Sequence, residues 1–172
     1  CGSLEGKRLV SVQEMVSKIK AAKDARGDRD FVIAARTDGS IISDEETIKR
    51  AHAYIEAGAD LIIPHVKGFL ECKYQIELYG REIKGAPLVF QIAAVGTHGR
   101  EMTTFDIARL GYKLIICTGM QYALPKVGFK LLEQLRTTGT QAAYLEELGI
   151  KAPGYDEFYG LLGLDNYKAL EK

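Results

Sequence analysis

The side chains best suited to chemistry in this sequence stand directly after an apolar run of strand length. Phe31–Ala35 is continuously apolar, and Arg36, Thr37 and Asp38 follow it. A buried parallel strand reads as such a run, and in parallel α/β proteins the working groups lie at the carboxyl ends of the strands. A cation at the end of a buried strand costs free energy unless an acid or a ligand pairs with it. We therefore predict that Arg36 binds an anionic ligand or pairs structurally with Asp38, which orients Arg36 or caps the loop.

Histidines occupy two further positions where strands are predicted to end. His65 follows the apolar run Asp60–Pro64, and His98 lies in the polar turn Gly96–Gly99. An imidazole at such a place can donate a hydrogen bond to an anionic oxygen or exchange a proton near neutral pH. A single His after a strand is equally compatible with an ordinary polar position at the rim. We interpret His52, within a predicted helix, as structural.

The composition describes an ordinary globular chain without a charged surface for polyanions. Of its 172 residues 47% are hydrophobic, and 23 Lys and Arg balance 23 Asp and Glu. This balance argues against binding to nucleic acid or to an anionic membrane, and no apolar run approaches the roughly 20 residues that span a bilayer. Three widely spaced cysteines, Cys1, Cys72 and Cys117, are typical of free thiols in a reducing compartment. We expect a cytoplasmic protein with a small-molecule partner, and we expect Cys72 and Cys117 to be structural, the latter in the core.

Helix signals alternate with strand-length apolar runs along the first two thirds of the chain. Ser11–Glu14 and Ser43–Glu46 have the form of a capping box, and Gly58 supplies a helix stop. The predicted strands cover residues 31–35, 60–64, 87–91 and 112–117. The predicted helices cover residues 12–25, 43–57, 68–79 and 103–110, and then 120–135, 141–148, 155–162 and 165–171. This alternation favours right-handed βαβ units in a parallel sheet.

The expected fold class is therefore parallel α/β in a single domain, residues 1–172. Residues 1–10 are predicted to form a loop, residues 11–119 the βα units, and residues 120–172 a C-terminal helical segment. Four parallel strands are too few to close a barrel. The chain is accordingly either a small open sheet or one half of a larger structure.

Several stretches, in order along the chain, resemble motifs of the isocitrate lyase and phosphoenolpyruvate mutase superfamily. The similar stretches are Cys1–Lys7 (the K-K-C-G-H-L-x-G-K loop), Phe31–Asp38 (the F-x-I-x-A-R-T-D strand), Ala57–Asp60 (a helix-to-strand turn) and Asp156–Leu161 (the C-terminal helix). The resemblance implies a (β/α)8 TIM barrel, of which this chain would be about strands 5–8 and the C-terminal helices. It also implies a homo-oligomer whose subunits exchange a helix.

The chemistry that the resemblance implies is Mg²⁺-dependent lysis or formation of a C–C bond in a small 2-oxo or 2-hydroxy carboxylate. The enolate that develops needs positive charge placed beforehand, which Mg²⁺ and an arginine provide. On this pattern Cys1 is the catalytic proton donor, Arg36 anchors the carboxylate, and Gly2 and Ser3 belong to the substrate-binding loop. The family's metal-binding motifs, D-A-D-T-G-Y-G and E-D, are missing from this sequence. We therefore expect no metal ligand within this chain and no activity from it alone.

Three departures from the lyase pattern concern substrate choice. His65 stands where lyases usually carry Glu and where the mutase branch carries His. Gln91 stands where lyases have Asn, and Ser3 replaces the usual His of the loop. The resemblance thus implies that His65 and Gln91 shape the substrate site, and it does not fix the substrate as isocitrate or methylisocitrate.

Two alternatives stay open beside the lyase. One is C–P bond chemistry of the phosphonopyruvate or phosphoenolpyruvate mutase type, which His65 favours and Cys1 opposes, because that branch usually has Asn there. The other is a non-catalytic half-barrel whose strand edges pair with a second copy, since open apolar edges promote aggregation. An N-terminal companion fragment carrying the acidic first half is a further expected partner, because the chain begins in a glycine-rich loop of the kind that proteases cleave.

Overall fold

The chain forms two compact units, Cys1–Met120 and Gln121–Lys172. The computed structural model describes residues 6–28, 30–66, 72–92, 102–149 and 155–170. The boundary between the units falls where the sequence predicts the start of the helical segment. That the two units form a single domain stays a prediction.

The first unit alternates helices with parallel strands. Its helices are α1 (Val12–Ala25), α2 (Asp44–Ala57), α3 (Cys72–Glu82) and α4 (Thr104–Arg109). Its strands are β1 (Ala34–Thr37), β2 (Leu61–Pro64), β3 (Leu88–Ile92) and β4 (Tyr112–Cys117). They form one sheet in the order β1-β2-β3-β4, and each neighbouring pair is parallel. The predicted parallel α/β fold is confirmed.

Helices make up the second unit. They are α5 (Met120–Thr138), which begins in the last residue of the first unit, α6 (Ala142–Glu147), α7 (Tyr155–Leu161) and α8 (Leu164–Leu170). The Tyr144 backbone N–H donates to Gln134 Oε1 at 3.0 Å, and the Lys130 ammonium lies 5.6 Å from the centre of the Tyr144 ring. These contacts join α6 to α5. Among the described residues, no helix combines the length and the apolar character needed to cross a membrane.

The serines that predicted the starts of α1 and α2 act as N-caps. Ser11 Oγ accepts a hydrogen bond from the Glu14 backbone N–H at 3.1 Å, and Ser43 Oγ accepts one from Glu46 at 3.1 Å. Each bond satisfies an N–H that has no partner within its helix. Gly58 ends α2 with a φ of 108°, a left-handed conformation that glycine adopts without strain.

Several element boundaries differ by a few residues from the predictions, notably those of β1, α3 and α5. β1 begins at Ala34 instead of Phe31, and the Phe31 side chain is 66% exposed, so its apolar character did not indicate burial. α3 continues to Glu82, past the predicted stop at residue 79. Gly80 does not end the helix, because it packs against α4: a Cβ at this position would lie 2.4 Å from the Leu110 carbonyl oxygen.

One face of the sheet packs under the helices. The largest side chains buried there are Ile62, Tyr79, Leu88, Phe90, Ile107 and Tyr112. Along β1, Ala35 and Thr37 are buried, whereas Ala34 and Arg36 are exposed. Since successive side chains of a strand point to opposite faces, Arg36 lies on the face that turns away from α2.

Candidate active site

Two of the polar segments that the sequence singled out meet at the carboxyl ends of β1 and β2. In the parallel register Thr37 pairs with Pro64, so Asp38 and His65 follow at the same level. The His65 backbone N–H donates to the Thr37 carbonyl oxygen at 2.9 Å, which fixes this level. Because the carboxyl ends of parallel strands lie at the same edge of a sheet, Arg36, Asp38 and His65 are neighbours at one edge.

Asp38 is the centre of an ion cluster. Its Oδ1 accepts a hydrogen bond from Arg36 Nε at 2.7 Å, and its Oδ2 lies 2.9 Å from Lys7 Nζ. The Asp38 and Lys7 side chains are 17% and 18% exposed, and the Arg36 side chain is 38% exposed. Both carboxylate oxygens therefore have a cationic partner, and the interpretation that Asp38 orients Arg36 agrees with this geometry.

The cluster keeps Asp38 ionised. Burial acts to raise the pKa of this carboxyl. The hydrogen bonds from Lys7 and Arg36, together with the positive charges of Arg36 and His65, lower the pKa by more than burial raises it. The resulting pKa lies below the usual value of an aspartic acid. Asp38 therefore serves as a counter-ion at neutral pH and not as a proton donor.

Arg36 is held on one side and open on the other. Asp38 takes its Nε, and among the described residues no hydrogen bond or ion pair is recorded for its two terminal nitrogens. A guanidinium presents its donors in a planar fork that matches the two oxygens of a carboxylate. Arg36 is therefore a fixed cation with the donors needed to hold a carboxylate.

His65 contacts a serine in the turn that follows β1. Ser40 lies in the short 3₁₀ turn Gly39–Ile41, is 3% exposed, and places its Oγ 3.4 Å from His65 Nδ1. The turn packs tightly on α2, because a Cβ on Gly39 would lie 2.7 Å from the backbone of Thr47. Only glycine fits there without a shift of the helix.

The remaining predicted site residues divide into placed and undescribed ones. Gln91 is exposed on β3, in register with Ile116 of β4. Cys1, Gly2, Ser3 and His98 lie outside the described residues. Cys117, predicted to be a core residue, is exposed at the end of β4, where the described part of the chain does not cover it. The prediction was wrong because a small apolar side chain does not show whether it lies on the buried or the exposed face of the strand.

Two residues of the site were not assigned a role from the sequence. Lys7 belongs to the loop motif, but nothing in its spacing to Asp38 indicates that the two side chains meet. Ser40 stands in an unremarkable turn sequence, and its contact with His65 crosses 25 positions of the chain. Both contacts arise from tertiary structure. The loop motif that contains Lys7 was a sequence signal for that residue, and Ser40 had none.

The residues at this edge do not fit a Mg²⁺ ion. Mg²⁺ takes oxygen ligands in octahedral geometry, and the carboxylate nearest to the site, Asp38, already has a cation on each oxygen. Within the described parts of the chain, no cluster of three or more His, Cys, Asp or Glu side chains could hold a metal ion.

A cavity of about 370 Å³ lies at the other end of the sheet. It is lined by Lys84, Lys113 and otherwise by glycine, proline and apolar residues near the amino ends of β3 and β4. Lys84 already donates to the Gly80 carbonyl oxygen at 2.8 Å. The described residues that line this cavity include no acid, imidazole or thiol. We therefore assign the chemistry to the edge of the sheet that carries Arg36.

The sequence and the fold are similar to those of known enzymes. Residues 2–127 match the phosphoenolpyruvate phosphomutase family. A 2-methylisocitrate lyase of Aeropyrum pernix is 35% identical over 98% of this chain and 52% of its own length. A 2,3-dimethylmalate lyase of Eubacterium barkeri is 31% identical over 99% of this chain and 57% of its own length.

A similar solved structure is that of a phosphonopyruvate hydrolase in complex with oxalate and Mg²⁺. It is 31% identical in sequence, with a TM-score of 0.71 over 98% of this chain and 59% of the hydrolase chain. The chain thus spans about half the length of the relatives it matches.

Proposed function

This chain belongs to the phosphoenolpyruvate phosphomutase family, and we propose that the complete protein is a lyase that breaks a C–C bond of a small 2-oxo or 2-hydroxy carboxylate. The observation that carries the proposal is Arg36, a guanidinium fixed through Nε by Asp38, whose terminal nitrogens have no recorded partner among the described residues. Breaking a bond beside a carbonyl group leaves an enolate. Positive charge held in place beforehand stabilises it without reorganisation during the reaction.

The proposal gives each predicted site residue one role. Arg36 anchors the substrate carboxylate, and His65 and Gln91 shape the site around the rest of the substrate. Cys1 donates the proton that the departing carbanion needs, with Gly2 and Ser3 in the same loop. The hydrolase with bound Mg²⁺ supports Mg²⁺ as cofactor of the complete protein. The protein ligands of Mg²⁺ would then come from outside the described residues of this chain.

C–P bond cleavage is the second candidate, and His65 favours it. The imidazole lies level with Asp38, near enough for its charge to lower the pKa of that carboxyl. A histidine there can donate to a phosphonate oxygen. The 31% identity to a phosphonopyruvate hydrolase supports the same assignment.

We propose further that this chain corresponds to about strands 5–8 of a (β/α)8 barrel and its C-terminal helices. The support is the share of the relatives that it spans, about half, together with apolar side chains left open on β4, where Leu114 and Ile116 are 48% and 38% exposed. A homo-oligomer with exchanged helices, or an N-terminal companion fragment, would cover them. Denaturing intact-mass spectrometry tests for the companion fragment, which would give a second species beside the 19.0 kDa chain. Sedimentation tests for the homo-oligomer. A single species that sediments as a monomer would argue against both the companion fragment and the homo-oligomer.

The activity is tested by the products released from each substrate class. Candidate substrates are 2-methylisocitrate, 2,3-dimethylmalate and phosphonopyruvate, incubated with the complete protein and Mg²⁺. Release of a 2-oxo acid without phosphate supports C–C cleavage, and release of inorganic phosphate from phosphonopyruvate supports the second candidate. If none of the substrates is consumed by material that contains both halves, the lyase proposal fails.

Arg36→Lys tests the role of the arginine, because it keeps the charge and loses the planar fork. We expect kcat/KM to fall by about 10²- to 10³-fold, the usual cost of losing a donor to a developing anion. The matched control is Arg81→Lys. Arg81 also donates through Nε to a neighbouring acid at 2.7 Å, but it is exposed on α3. An equal loss in both variants would show that Arg36 acts through stability.

A further inference from the structure

Lys7 is a charged residue beside the site to which the proposed function gives no role. Its side chain is 18% exposed, and its Nζ lies 2.9 Å from Asp38 Oδ2. A lysine is rarely covered to this extent unless an acid pairs with it. The carboxylate that it meets is the one that holds Arg36. Lys7 is therefore connected to the proposed substrate anchor through a single shared group.

The backbone that carries Lys7 is anchored shortly after it. The Val10 carbonyl oxygen accepts a hydrogen bond from Arg50 Nη1 at 2.9 Å. Arg50 is 6% exposed, and its Nε donates to Glu46 Oε1 at 2.7 Å. This buried guanidinium ties the segment that precedes α1 to α2. The Lys7 side chain thus extends from a fixed part of the backbone.

The pair of Arg36 and Asp38 uses only part of what the two groups offer each other. Arg36 donates through Nε to Asp38 Oδ1 at 2.7 Å, and no partner among the described residues is recorded for its terminal nitrogens. Arginine and a carboxylate often pair through two parallel bonds, because the planar fork matches both oxygens. Here the second oxygen, Oδ2, lies against Lys7. The lysine occupies the oxygen that would otherwise complete a two-bond pair.

We propose that Lys7 is a positioning residue that keeps the terminal nitrogens of Arg36 available to the substrate. By holding Oδ2, Lys7 limits Asp38 to the bond with Nε. Asp38 then orients the guanidinium without competing for the donors that a substrate carboxylate needs. The role in catalysis rests on the proposed function of Arg36, whereas the hold of Lys7 on Asp38 does not.

Removal of the Lys7 ammonium leaves Oδ2 of Asp38 with three possible partners: Arg36, His65 and water. His65 is close enough for its positive charge to lower the pKa of the Asp38 carboxyl. Arg36 is already bound at the other oxygen, so a second bond needs no new approach of the two side chains. The two-bond pair is also the stronger geometry. We therefore expect Oδ2 to turn to a terminal nitrogen of Arg36.

The first test is ¹H–¹⁵N NMR spectroscopy of the arginine side chains in the ¹⁵N-labelled chain. A guanidinium bound through one nitrogen rotates about its C–N bonds, and this rotation averages the signals of its terminal N–H groups. A second bond to the same carboxylate slows the rotation and separates these signals. The Arg36 signals are assigned by their loss in Arg36→Lys. We expect averaged terminal signals in the unaltered chain and separate signals in Lys7→Met.

The second test is the KM of the complete protein for whichever of 2-methylisocitrate, 2,3-dimethylmalate and phosphonopyruvate it consumes. In Lys7→Met the substrate must displace Asp38 from Arg36 before it binds. A hydrogen bond between charged groups corresponds to a factor of about 10 to 100, so we expect KM to rise by this factor. The kcat should fall by less, because saturating substrate overcomes the competition. Lys7→Arg keeps the charge and the donors, and should return KM to near that of the unaltered protein.

Lys49→Met is the matched control, because α2 contains the same arrangement of groups away from the site. Glu46 Oε1 accepts from Arg50 Nε at 2.7 Å, and Glu46 Oε2 lies 3.7 Å from Lys49 Nζ. The control should change neither the Arg36 signals nor KM. Lys7→Gln, which is neutral and keeps a donor, replaces Lys7→Met if the methionine variant does not fold. Its expected changes have the same direction and a smaller size.

The proposal is overturned if the terminal Arg36 signals stay averaged in the neutral Lys7 variants, because Asp38 would then turn to His65 or water. Separate signals already present in the unaltered chain would overturn it as well. A loss of kcat at unchanged KM would also count against it, since Lys7 would then act on something other than the availability of Arg36. If the NMR result holds and the complete protein cleaves none of the three substrates, the proposed function fails while the hold of Lys7 on Asp38 stands.

Discussion

Asp38→Asn is expected to destabilise the first unit at neutral pH and to have a smaller effect in acid. The substitution keeps the shape of the side chain and removes the charge that Lys7 and Arg36 share. Exposed ion pairs contribute about 0.2–1 kcal/mol each, and charge-assisted hydrogen bonds with restricted solvent contribute more. The Lys7 pair is mostly buried and the Arg36 pair is more open. We therefore expect a loss of about 1–2 kcal/mol in the free energy of unfolding.

The sign of the pH dependence follows from the lowered pKa of Asp38. A carboxyl whose pKa is lower in the folded state than in the unfolded chain stabilises the fold at pH values above the unfolded pKa, about 3.9. This contribution disappears as the pH falls through the folded pKa. The difference between Asp38→Asn and the unaltered chain should thus be largest from pH 5 to 7 and shrink below pH 4.

Urea unfolding followed by circular dichroism at pH 7, 5 and 3 measures this difference. Asp24→Asn is the control, because Asp24 is an exposed acid on α1, and a surface substitution of this kind stays within about 0.5 kcal/mol. High salt should reduce the effect at pH 7, since it screens partly exposed pairs. A loss that persists undiminished at pH 3 would refute the reasoning, because it would then come from packing and not from charge.

Two further substitutions test the packing of α3. Tyr79→Phe removes a hydroxyl that donates to Asp44 Oδ1 at 2.7 Å, from a residue that is 0% exposed. We expect the free energy of unfolding, measured with urea, to fall by about 1.5–3 kcal/mol, since the acceptor is charged. An unchanged free energy would show that water replaces the bond. Gly80→Ala should destabilise by about 1–3 kcal/mol despite the better helix propensity of Ala, because its Cβ would lie 2.4 Å from the Leu110 carbonyl oxygen. Gly128→Ala in α5 is the matched control: no described atom lies within 4 Å of its Cβ position, so it should be neutral or stabilise by up to about 1 kcal/mol, and a gain in both variants would contradict the packing argument.

The sequence predicted those features that depend on neighbouring residues. The serines at positions 11 and 43 cap the helices that they were expected to cap, and α1 and β4 have the predicted bounds. The convergence of Arg36, Asp38 and His65 was also predictable, because parallel strands bring their carboxyl ends to one edge. In each case a local pattern and a general rule of topology were sufficient.

The contacts that connect distant positions could not be predicted in this way. Lys7 reaches Asp38 across 31 positions, and no spacing rule relates a loop residue to a strand end over that distance. Ser40 required the packing of Gly39 against α2 before its hydroxyl could meet His65. The prediction that Phe31 lies in a buried strand was wrong, because its side chain is exposed. An apolar side chain favours burial, but its hydrophobicity does not show whether another part of the structure covers it.

The charge of the cluster limits what this edge of the sheet can bind. Lys7 and Arg36 contribute two positive charges and Asp38 one negative charge, which leaves one positive charge when His65 is neutral. Under the proposed function, that charge is matched by one carboxylate of the substrate at the terminal nitrogens of Arg36. A second carboxylate or a phosphonate would need further positive charge, either from His65 in its protonated form or from groups outside this cluster. Under the proposed function, the protonation state of His65 therefore decides how much of a dianionic substrate this half of the site can hold.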